Sequence, residues 1–263
     1  MSESQIILQH IENDICTISL HRPQVHNAFN DALIAELTQT LHDIDKKKDI
    51  RAVILNAHGE TFSAGADLHW MQKMNSLSRQ ENEADALKLS ILLESLNTLS
   101  QPTIALVQGR AVGGGIGLVA CCDIAIAAEE AQFCFAEVKL GLLPATIAPY
   151  ILQKMGYSAT RRYFITAERF NATTAQQLGL IHDIVPKAQL QEAAIKLLEQ
   201  IVKNGPNAMM QSKRLIHRLS PFKKSIGKEM ATLLAEVRSS DEGKEGIQAF
   251  LEKRTPKWRF KQS

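Results

Sequence analysis

The spacing of apolar residues predicts an α/β region followed by a helical region. Alternating or continuous apolar runs predict short strands at residues 5–9, 15–20, 51–56, 103–108, 123–128 and 132–136. Apolar positions three and four apart predict helices at residues 30–41 and 78–99, and Asn30 or Asp31 is a suitable N-cap for the first. The order of these elements favours an α/β core.

Beyond Pro149 almost every segment has helical spacing. The predicted helices span residues 159–166, 173–178, 190–203, 208–219, 225–238 and 241–253. The run Lys203-Asn204-Gly205-Pro206 ends one helix and precedes the next. We therefore expect a core with the active site at residues 1–203 and a helical C-terminal region at residues 204–263.

Two segments rich in small residues follow predicted strands. Residues 61–68 follow strand 51–56, and the cluster Gly113-Gly114-Gly115 follows strand 103–108 and opens a helix predicted at 114–122. Glycine lets a ligand approach the backbone, and the first N–H groups of a helix have no internal partner. Two such N–H groups, one from each segment, suffice to bind a thioester oxyanion. Close backbone packing explains either segment alone equally well.

A second interpretation of the glycine cluster is a dinucleotide site. Gly115, Gly117 and Ala120 fit the pattern G-x-G-x-x-A, and Glu137 follows about twenty residues later. The glycines do not directly follow the predicted strand, and the helix is short for a crossover between parallel strands. Both features count against a dinucleotide site.

Glu137 lies in an apolar stretch. A carboxylate in such a place is costly unless it is paired or catalytic, and desolvation would raise its pKa toward that of a general base. The alternative is a structural ion pair with Lys139 or Arg161. The residues alone slightly favour the ion pair.

Composition and charge narrow the class of protein. The 263 residues are 45% hydrophobic and 22% charged with a net charge of +2, which is typical of a globular protein without a strong electrostatic partner. A basic tail is expected to be solvated rather than to bind RNA; it comprises Lys253, Arg254, Lys257, Arg259 and Lys261. The chain shows no secretory signal and no apolar run of membrane-spanning length, so a cytoplasmic protein is expected.

Cysteine and histidine positions give no sign of a metal site. Cys16, Cys121, Cys122 and Cys134 match no zinc spacing and are expected to be buried thiols in a reducing compartment. The pattern H-E-x-x-H does not occur. Metal-assisted catalysis therefore has no support in the sequence.

Several motifs, taken together in their order, resemble the crotonase, or enoyl-CoA hydratase/isomerase, family over nearly the whole chain. They are Arg22-Pro23 with Asn27-Ala28-Phe29, Phe62-Ser63-Ala64-Gly65-Ala66-Asp67-Leu68, Gly113-Gly114-Gly115, Cys122-Asp123, and Glu137 with Leu140-Gly141 and Pro144. The resemblance implies a spiral of β-β-α units with a helical C-terminal trimerisation region, and homotrimers that commonly pair into hexamers. It also implies an acyl-CoA substrate and no separate cofactor, because coenzyme A is part of that substrate.

The resemblance also implies roles for individual residues. Ala66 and Gly114 would supply the oxyanion-binding N–H groups, and Glu137 falls where the family places a catalytic glutamate. The residues expected to bind the substrate or its coenzyme A are Val25, Ala28, Ala64, Asp67, Leu68, Gly113 and Lys253. Phe250 and Lys253 are expected to reach the phosphates.

One position departs from the family pattern. Gly117 stands where two-glutamate hydratases carry their second glutamate. Glu137 alone could then activate water in a hydratase, or shuttle a proton between C2 and C4 in an enoyl-CoA isomerase. A non-catalytic relative that binds acyl-CoA or RNA is the alternative of another class.

Finer similarity favours hydration. Residues 137–147, 161–170 and 249–254 are similar to bacterial methylglutaconyl-CoA hydratases, which implies a branched, carboxylated acyl group. Its second carboxylate would contact a cationic group or replace the missing glutamate.

Overall fold

In the computed structural model, which describes residues 5–220 and 226–259, the chain begins with a hairpin and a capped helix. The hairpin joins β1 (Ile7–Glu12) and β2 (Ile15–Leu20) through Asn13 and Asp14, whose positive φ angles suit a tight turn. Helix α1 (Asp31–Asp45) starts where the side chain of Asn30 accepts a hydrogen bond from Leu33 N. The predicted N-cap is confirmed at Asn30.

The middle of the chain repeats a unit of two strands followed by helical structure. The first unit contains β3 (Ala52–Ala57), β4 (Thr61–Ser63), α2 (Leu68–Ser76) and α3 (Arg79–Asn97). The second contains β5 (Thr103–Val107), β6 (Arg110–Val112) and α4 (Gly114–Cys121). The third contains β7 (Ile124–Ala128), β8 (Gln132–Cys134), a 3-10 turn at Glu137–Leu140 and α5 (Ala148–Thr166).

Each unit contributes one strand to each of two sheets. The six-stranded sheet has the order β1-β2-β3-β5-β7-β10, and the four-stranded sheet has the order β4-β6-β8-β9. Strands β3, β5 and β7 are parallel neighbours, and so are β4, β6 and β8. The chain therefore winds as the expected β-β-α spiral. Because α4 connects β6 of one sheet to β7 of the other, it is not the crossover of a dinucleotide-binding unit.

The rest of the described chain is mainly helical, with two short strands. Its elements are β9 (Phe170–Asn171), α6 (Ala172–Gln177), β10 (Asp183–Val185), α7 (Leu190–Ile201), α8 (Pro206–Leu219), α9 (Ile226–Ser239) and α10 (Asp241–Leu251). The expectation of helices alone after Pro149 is therefore wrong at β9 and β10, which extend the two sheets. Strand β4 likewise lies inside a segment predicted to be loop. Each has only two or three residues, too few for a period of two to show.

The C-terminal helices pack onto the core of the same chain. Helix α9 lies along α3, while α10 contacts α2 and the turn at Glu137–Leu140. The predicted first residue of α9, at position 225, and Lys261 lie outside the described residues. The four cysteines are buried free thiols, as expected. No helix within 5–220 and 226–259 has the length and apolar character needed to cross a membrane.

Candidate active site

A cavity of about 420 Å³ lies between the two small-residue segments. Its walls come from the β4–α2 segment, the start of α4, the 3-10 turn, and helices α3, α9 and α10. Five of the residues predicted to form the site line it: Ala64, Ala66, Gly113, Gly114 and Glu137. Most other lining residues are apolar, as expected for a small-molecule site.

The backbone N–H groups of Ala66 and Gly114, two residues that line this cavity, have no acceptor within the described chain. Phe29 N donates to Gly65 O and Phe29 O accepts from Asp67 N, so this pairing skips the N–H of Ala66. Gly114 is the first residue of α4, where an N–H has no partner within the helix. Among the described residues, neither N–H has a hydrogen-bond acceptor. Two unpaired donors on one cavity can bind a developing oxyanion.

Glycines allow the two donor segments to pack closely. Gly65 has a φ of +86°, and a Cβ atom there would lie 3.3 Å from Val112 O. A Cβ atom at Gly115 would lie 2.8 Å from Cβ of Ser63. Larger residues would push the segments apart, so the glycines determine where the N–H groups lie.

The carboxylate of Glu137 packs against the start of α4. A Cβ atom built on Gly113 would lie 2.9 Å from Oε1 of Glu137, so the close approach requires glycine at 113. Oε2 is buried and has no hydrogen-bond partner among the described residues. Burial raises the pKa of Glu137 to about 7. A carboxyl group with such a pKa can accept and return a proton near neutral pH.

The alternative ion pair for Glu137 is not formed. In the part of the chain that the structure describes, neither Lys139 nor Arg161 forms a salt bridge with it. The guanidinium of Arg161 instead lies over the ring of Tyr157, 5.5 Å from its centroid. The slight preference for a structural ion pair is therefore wrong, because the 3-10 turn directs the Glu137 carboxylate against Gly113 in the cavity.

Burial of Glu137 has a predictable cost in stability. Its folded-state pKa of about 7 exceeds the ordinary value of 4.5, so the contribution of this group to stability falls as the pH rises between them. A tenfold change in proton affinity corresponds to about 1.4 kcal/mol. Glu137→Gln should therefore raise the free energy of unfolding by on the order of 3 kcal/mol at pH 8 and hardly change it at pH 4. Urea unfolding at both pH values measures this, and an equal effect at both would contradict it.

Gly117 leaves no room for a second carboxylate. A Cβ atom there would lie 2.4 Å from Cγ2 of Ile147 and 3.2 Å from Cδ2 of Leu93. Ile147 itself lines the cavity. The space near the second-glutamate position is therefore filled by an apolar side chain, which leaves Glu137 as the only carboxylate among the residues lining the cavity.

The other predicted binding residues lie outside the cavity wall. Asp67 pairs with Arg22 at 3.0 Å and caps α2 by accepting a hydrogen bond from His69 N. Val25, Ala28, Leu68 and Lys253 are not among the lining residues, and Leu68 is exposed. Their contacts with coenzyme A stay predictions. Phe250, which was expected near the phosphates, does line the cavity.

Sequence reasoning missed the helical walls of the cavity. These residues lie on α2, α3 and α9 and include Trp70, Met71, Met74, Leu89, Leu234 and Arg238. Helix α2 was not predicted, because residues 68–76 directly follow the small-residue segment, although Trp70, Met71 and Met74 have helical spacing. Arg238 could have been found from the sequence, because its spacing from the apolar residues of the same predicted helix places it on the buried face.

Comparisons with known proteins agree with this geometry. The Enoyl-CoA hydratase/isomerase family model matches residues 10–261. The chain is 30% identical over 263 residues to the short-chain-enoyl-CoA hydratase of Clostridium acetobutylicum, covering 97% of each chain. It is 29% identical over 247 residues to the 2,3-dehydroadipyl-CoA hydratase of Escherichia coli, covering 92% of this chain and 94% of that one.

A solved structure shares the fold. The crystal structure of an enoyl-CoA hydratase from Shewanella pealeana is 40% identical, has a TM-score of 0.81 and covers 97% of both chains. The two mixed sheets and helical C-terminal region are thus those of the crotonase fold. As its motifs predict, the chain belongs to the enoyl-CoA hydratase/isomerase, or crotonase, family.

Proposed function

We propose that the protein catalyses reversible addition of water to the double bond of a 2-enoyl-CoA with a branched, carboxylated acyl group, such as methylglutaconyl-CoA. The observation that carries the proposal is the presence of two unpaired backbone N–H groups, on Ala66 and Gly114, in the same cavity as the buried carboxylate of Glu137. Together they supply an oxyanion site and a proton carrier.

The two N–H groups stabilise negative charge on the thioester oxygen. As a water oxygen bonds to C3, the electrons of the C2–C3 double bond move onto the thioester, and its oxygen becomes an enolate oxygen. Donors aimed at this charge act more strongly on the transition state than on the ground state, which accelerates the reaction. The dipole of α4, whose positive end is at Gly114, adds to this effect.

Glu137 moves the proton. Its carboxylate accepts a proton from water while the remaining hydroxide adds to C3, and the resulting acid then protonates C2 of the enolate. One carboxyl group on one face of the substrate gives syn addition, with the carboxylate restored at the end. A pKa of about 7 suits both halves of this cycle.

The coenzyme A portion of the bound substrate would extend out of the cavity through an opening beside α10. Phe250, Arg254 and Arg259 line this part, and Lys253 is exposed nearby in the sequence. We extend the proposal to contacts of Val25, Ala28, Ala64, Asp67, Leu68, Gly113 and Lys253 with the thioester's coenzyme A portion. Arg259 and Lys253, rather than Arg254 with its acidic partners Glu245 and Glu252, would favour the phosphates.

The proposed acyl group is supported by similarity and by charge. One relative is named for a 2,3-dehydroadipyl-CoA, an enoyl thioester with a second carboxyl group. The acyl end of the cavity is apolar but contains the guanidinium of Arg238. An acyl group with an apolar body and an anionic end matches this lining.

A screen of enoyl-CoA thioesters tests the proposal. Loss of absorbance from the conjugated thioester reports hydration, and we expect kcat/KM to be highest for 3-methylglutaconyl-CoA and lower for crotonyl-CoA. Crotonyl-CoA as the better substrate would overturn the acyl assignment. Absence of hydration with every thioester would overturn the proposal as a whole.

The pH dependence of hydration follows from Glu137. Because the carboxylate form must accept the proton from water, kcat/KM should fall tenfold per pH unit below an apparent pKa near 7 and level off above it. Initial rates between pH 5 and 9 measure this profile. A rate that stays constant down to pH 5 would contradict the assignment of Glu137 as the base.

An enoyl-CoA isomerase is the second candidate. It is favoured by the single carboxylate among the lining residues, since Glu137 alone could move a proton between C2 and C4. With a 3-enoyl-CoA, an isomerase would increase the absorbance of the conjugated thioester without taking up water. A hydratase would instead decrease the absorbance of a 2-enoyl-CoA.

A non-catalytic RNA-binding role has less support. Arg254 of the basic tail pairs with Glu245 and Glu252, both at 2.6 Å, and Glu245 also accepts a hydrogen bond from Lys257 N. These acidic partners neutralise much of the charge that RNA would need. Turnover of any enoyl-CoA would show that the protein is an enzyme and would exclude a non-catalytic role.

We also propose that the protein assembles as a homotrimer or as a hexamer of paired trimers. Helix α8 exposes Leu215, Ile216 and Leu219, an apolar group of the kind that a partner subunit usually covers. Light scattering should give three or six times the chain mass of 29.2 kDa. Ile216→Glu should lower that mass, and a monomeric wild-type protein would contradict the proposal.

A further inference from the structure

We infer that Arg238 binds the distal carboxylate of the acyl group, and that Asp85 and Trp70 hold Arg238 in place for this contact. The inference rests on the proposed function, because it assigns a specificity residue within the same cavity. Its evidence is independent of the oxyanion site, and comes from the burial, the hydrogen bonds and the cavity position of one guanidinium.

The helical spacing places Arg238 on a buried face. Ala231, Leu234, Ala235 and Arg238 follow the spacing i, i+3, i+4, i+7 on α9, and all four are buried. The exposed fraction of Arg238 is only 5%. Arginine is rarely buried to this extent without a specific partner, so a cation at this position requires an explanation.

Protein groups satisfy only part of the guanidinium. Nη1 donates to Oδ2 of Asp85 at 2.9 Å, whereas Nε is buried without an acceptor in the described part of the chain. An arginine has five N–H donors in a planar fork, and this one lines the cavity. Donors are therefore left over on a side chain that borders the space for the acyl group.

Asp85 and Trp70 fix the orientation of the guanidinium. Oδ1 of Asp85 accepts a hydrogen bond from Trp70 Nε1 at 3.0 Å, while its other oxygen binds Arg238. The guanidinium carbon also lies 5.8 Å from the centroid of the Trp70 ring. Both oxygens of Asp85 are thus engaged, and neither accepts a hydrogen bond from Nε of Arg238 in the described part of the chain.

The surrounding lining determines the class of ligand. Between the oxyanion donors and Arg238 the wall is apolar and includes Met71, Met74, Leu89 and Leu234. A carboxylate at the end of a short acyl chain would accept the unpaired N–H groups, in the bidentate geometry that guanidinium favours. An uncharged acyl chain would leave those donors buried and unpaired, which disfavours it.

Binding of saturated thioesters tests the inference without depending on turnover. Calorimetry would compare glutaryl-CoA with pentanoyl-CoA, which lacks the terminal carboxylate, on the wild-type protein. We expect glutaryl-CoA to bind at least about tenfold more tightly, the discrimination typical of a hydrogen bond to a charged group. The test variant is Arg238→Met with Asp85→Asn, a pair that leaves no unpaired buried carboxylate and keeps an acceptor for Trp70.

In that double variant the preference for glutaryl-CoA should disappear, whereas Arg238→Lys should retain part of it. The control is Arg169→Met, the removal of a guanidinium at an exposed position outside the cavity wall, which should leave the ratio of the two affinities unchanged. Wild-type protein without a preference, or a preference that survives the double variant in a folded protein, would overturn the inference alone. Failure of both thioesters to bind would overturn the proposed function as well.

Discussion

Glu137→Gln should lower kcat for hydration by about 10²–10⁴-fold, the range typical of a positioned general acid–base group. Glutamine keeps the size of the side chain but cannot accept a proton from water at neutral pH. Because the other lining residues stay unchanged, the affinity for the acyl-CoA should change little. Steady-state kinetics on the preferred enoyl-CoA, with binding of a saturated thioester measured separately, gives both quantities.

The control for this variant is Glu130→Gln, which makes the same chemical change at an exposed position remote from the cavity wall. Its kcat should equal that of the wild type. If Glu137→Gln retained wild-type turnover, the carboxylate would have no part in proton transfer. If it lost thioester binding as well, Glu137 would have a structural role that the cavity geometry does not suggest.

Gly114→Pro should lower kcat by about 10²–10³-fold, the usual cost of losing one oxyanion donor. Proline removes the N–H of Gly114 and is tolerated at the first position of a helix, so α4 can retain its start. The matched control is Gly114→Ala, which keeps the N–H. Its Cβ would lie 3.4 Å from the ring of Phe29, a tight contact that a small ring movement relieves.

Kinetics and thermal melting of the two Gly114 variants separate chemistry from folding. Both should melt as folded proteins, and only the proline variant should lose most of its turnover. Equal activity in the two variants would show that the N–H of Gly114 does not stabilise the transition state. An equal loss of turnover in both variants would show that the added side-chain atoms, and not the missing N–H, cause the effect.

Much of the site could be predicted because it depends on local chemistry. Glycines after a strand and at a helix start leave unpaired N–H groups, and this consequence of helix geometry holds in any fold. The two segments are recognisable by their small residues, whereas the choice of Ala66 and Gly114 within them comes from the family resemblance. That they border one cavity depends on how β4 and β6 pair, which no local pattern reveals.

The expected ion pair of Glu137 is not formed because of the direction in which its side chain points. Lys139 is close to Glu137 in sequence, and both Lys139 and Arg161 carry the opposite charge. However, a 3-10 turn that starts at Glu137 directs the side chain of Glu137 toward Gly113. The positive φ of Gly113, +51°, and its lack of a side chain create the space. Such a contact joins residues 24 positions apart through backbone geometry alone, so the sequence does not display it.

Arg238 shows that more was available from the sequence. Its spacing from Ala231, Leu234 and Ala235 marks the apolar face of a predicted helix, and Asp85 shares a buried face of α3 with Asn82, Ala86 and Leu89. Two charged residues of opposite sign on buried faces predict a buried pair. Which helices bring the faces together, and that a cavity lies beside them, required the structure.

The central claim is that two backbone N–H groups converge on one thioester oxygen beside Glu137. A crystal structure with a bound saturated acyl-CoA tests it most directly. The account predicts that the thioester oxygen lies about 2.7–3.1 Å from the nitrogens of both Ala66 and Gly114, with C2 and C3 facing the Glu137 carboxylate. A thioester oxygen bound elsewhere, or touching only one of the two nitrogens, would contradict it.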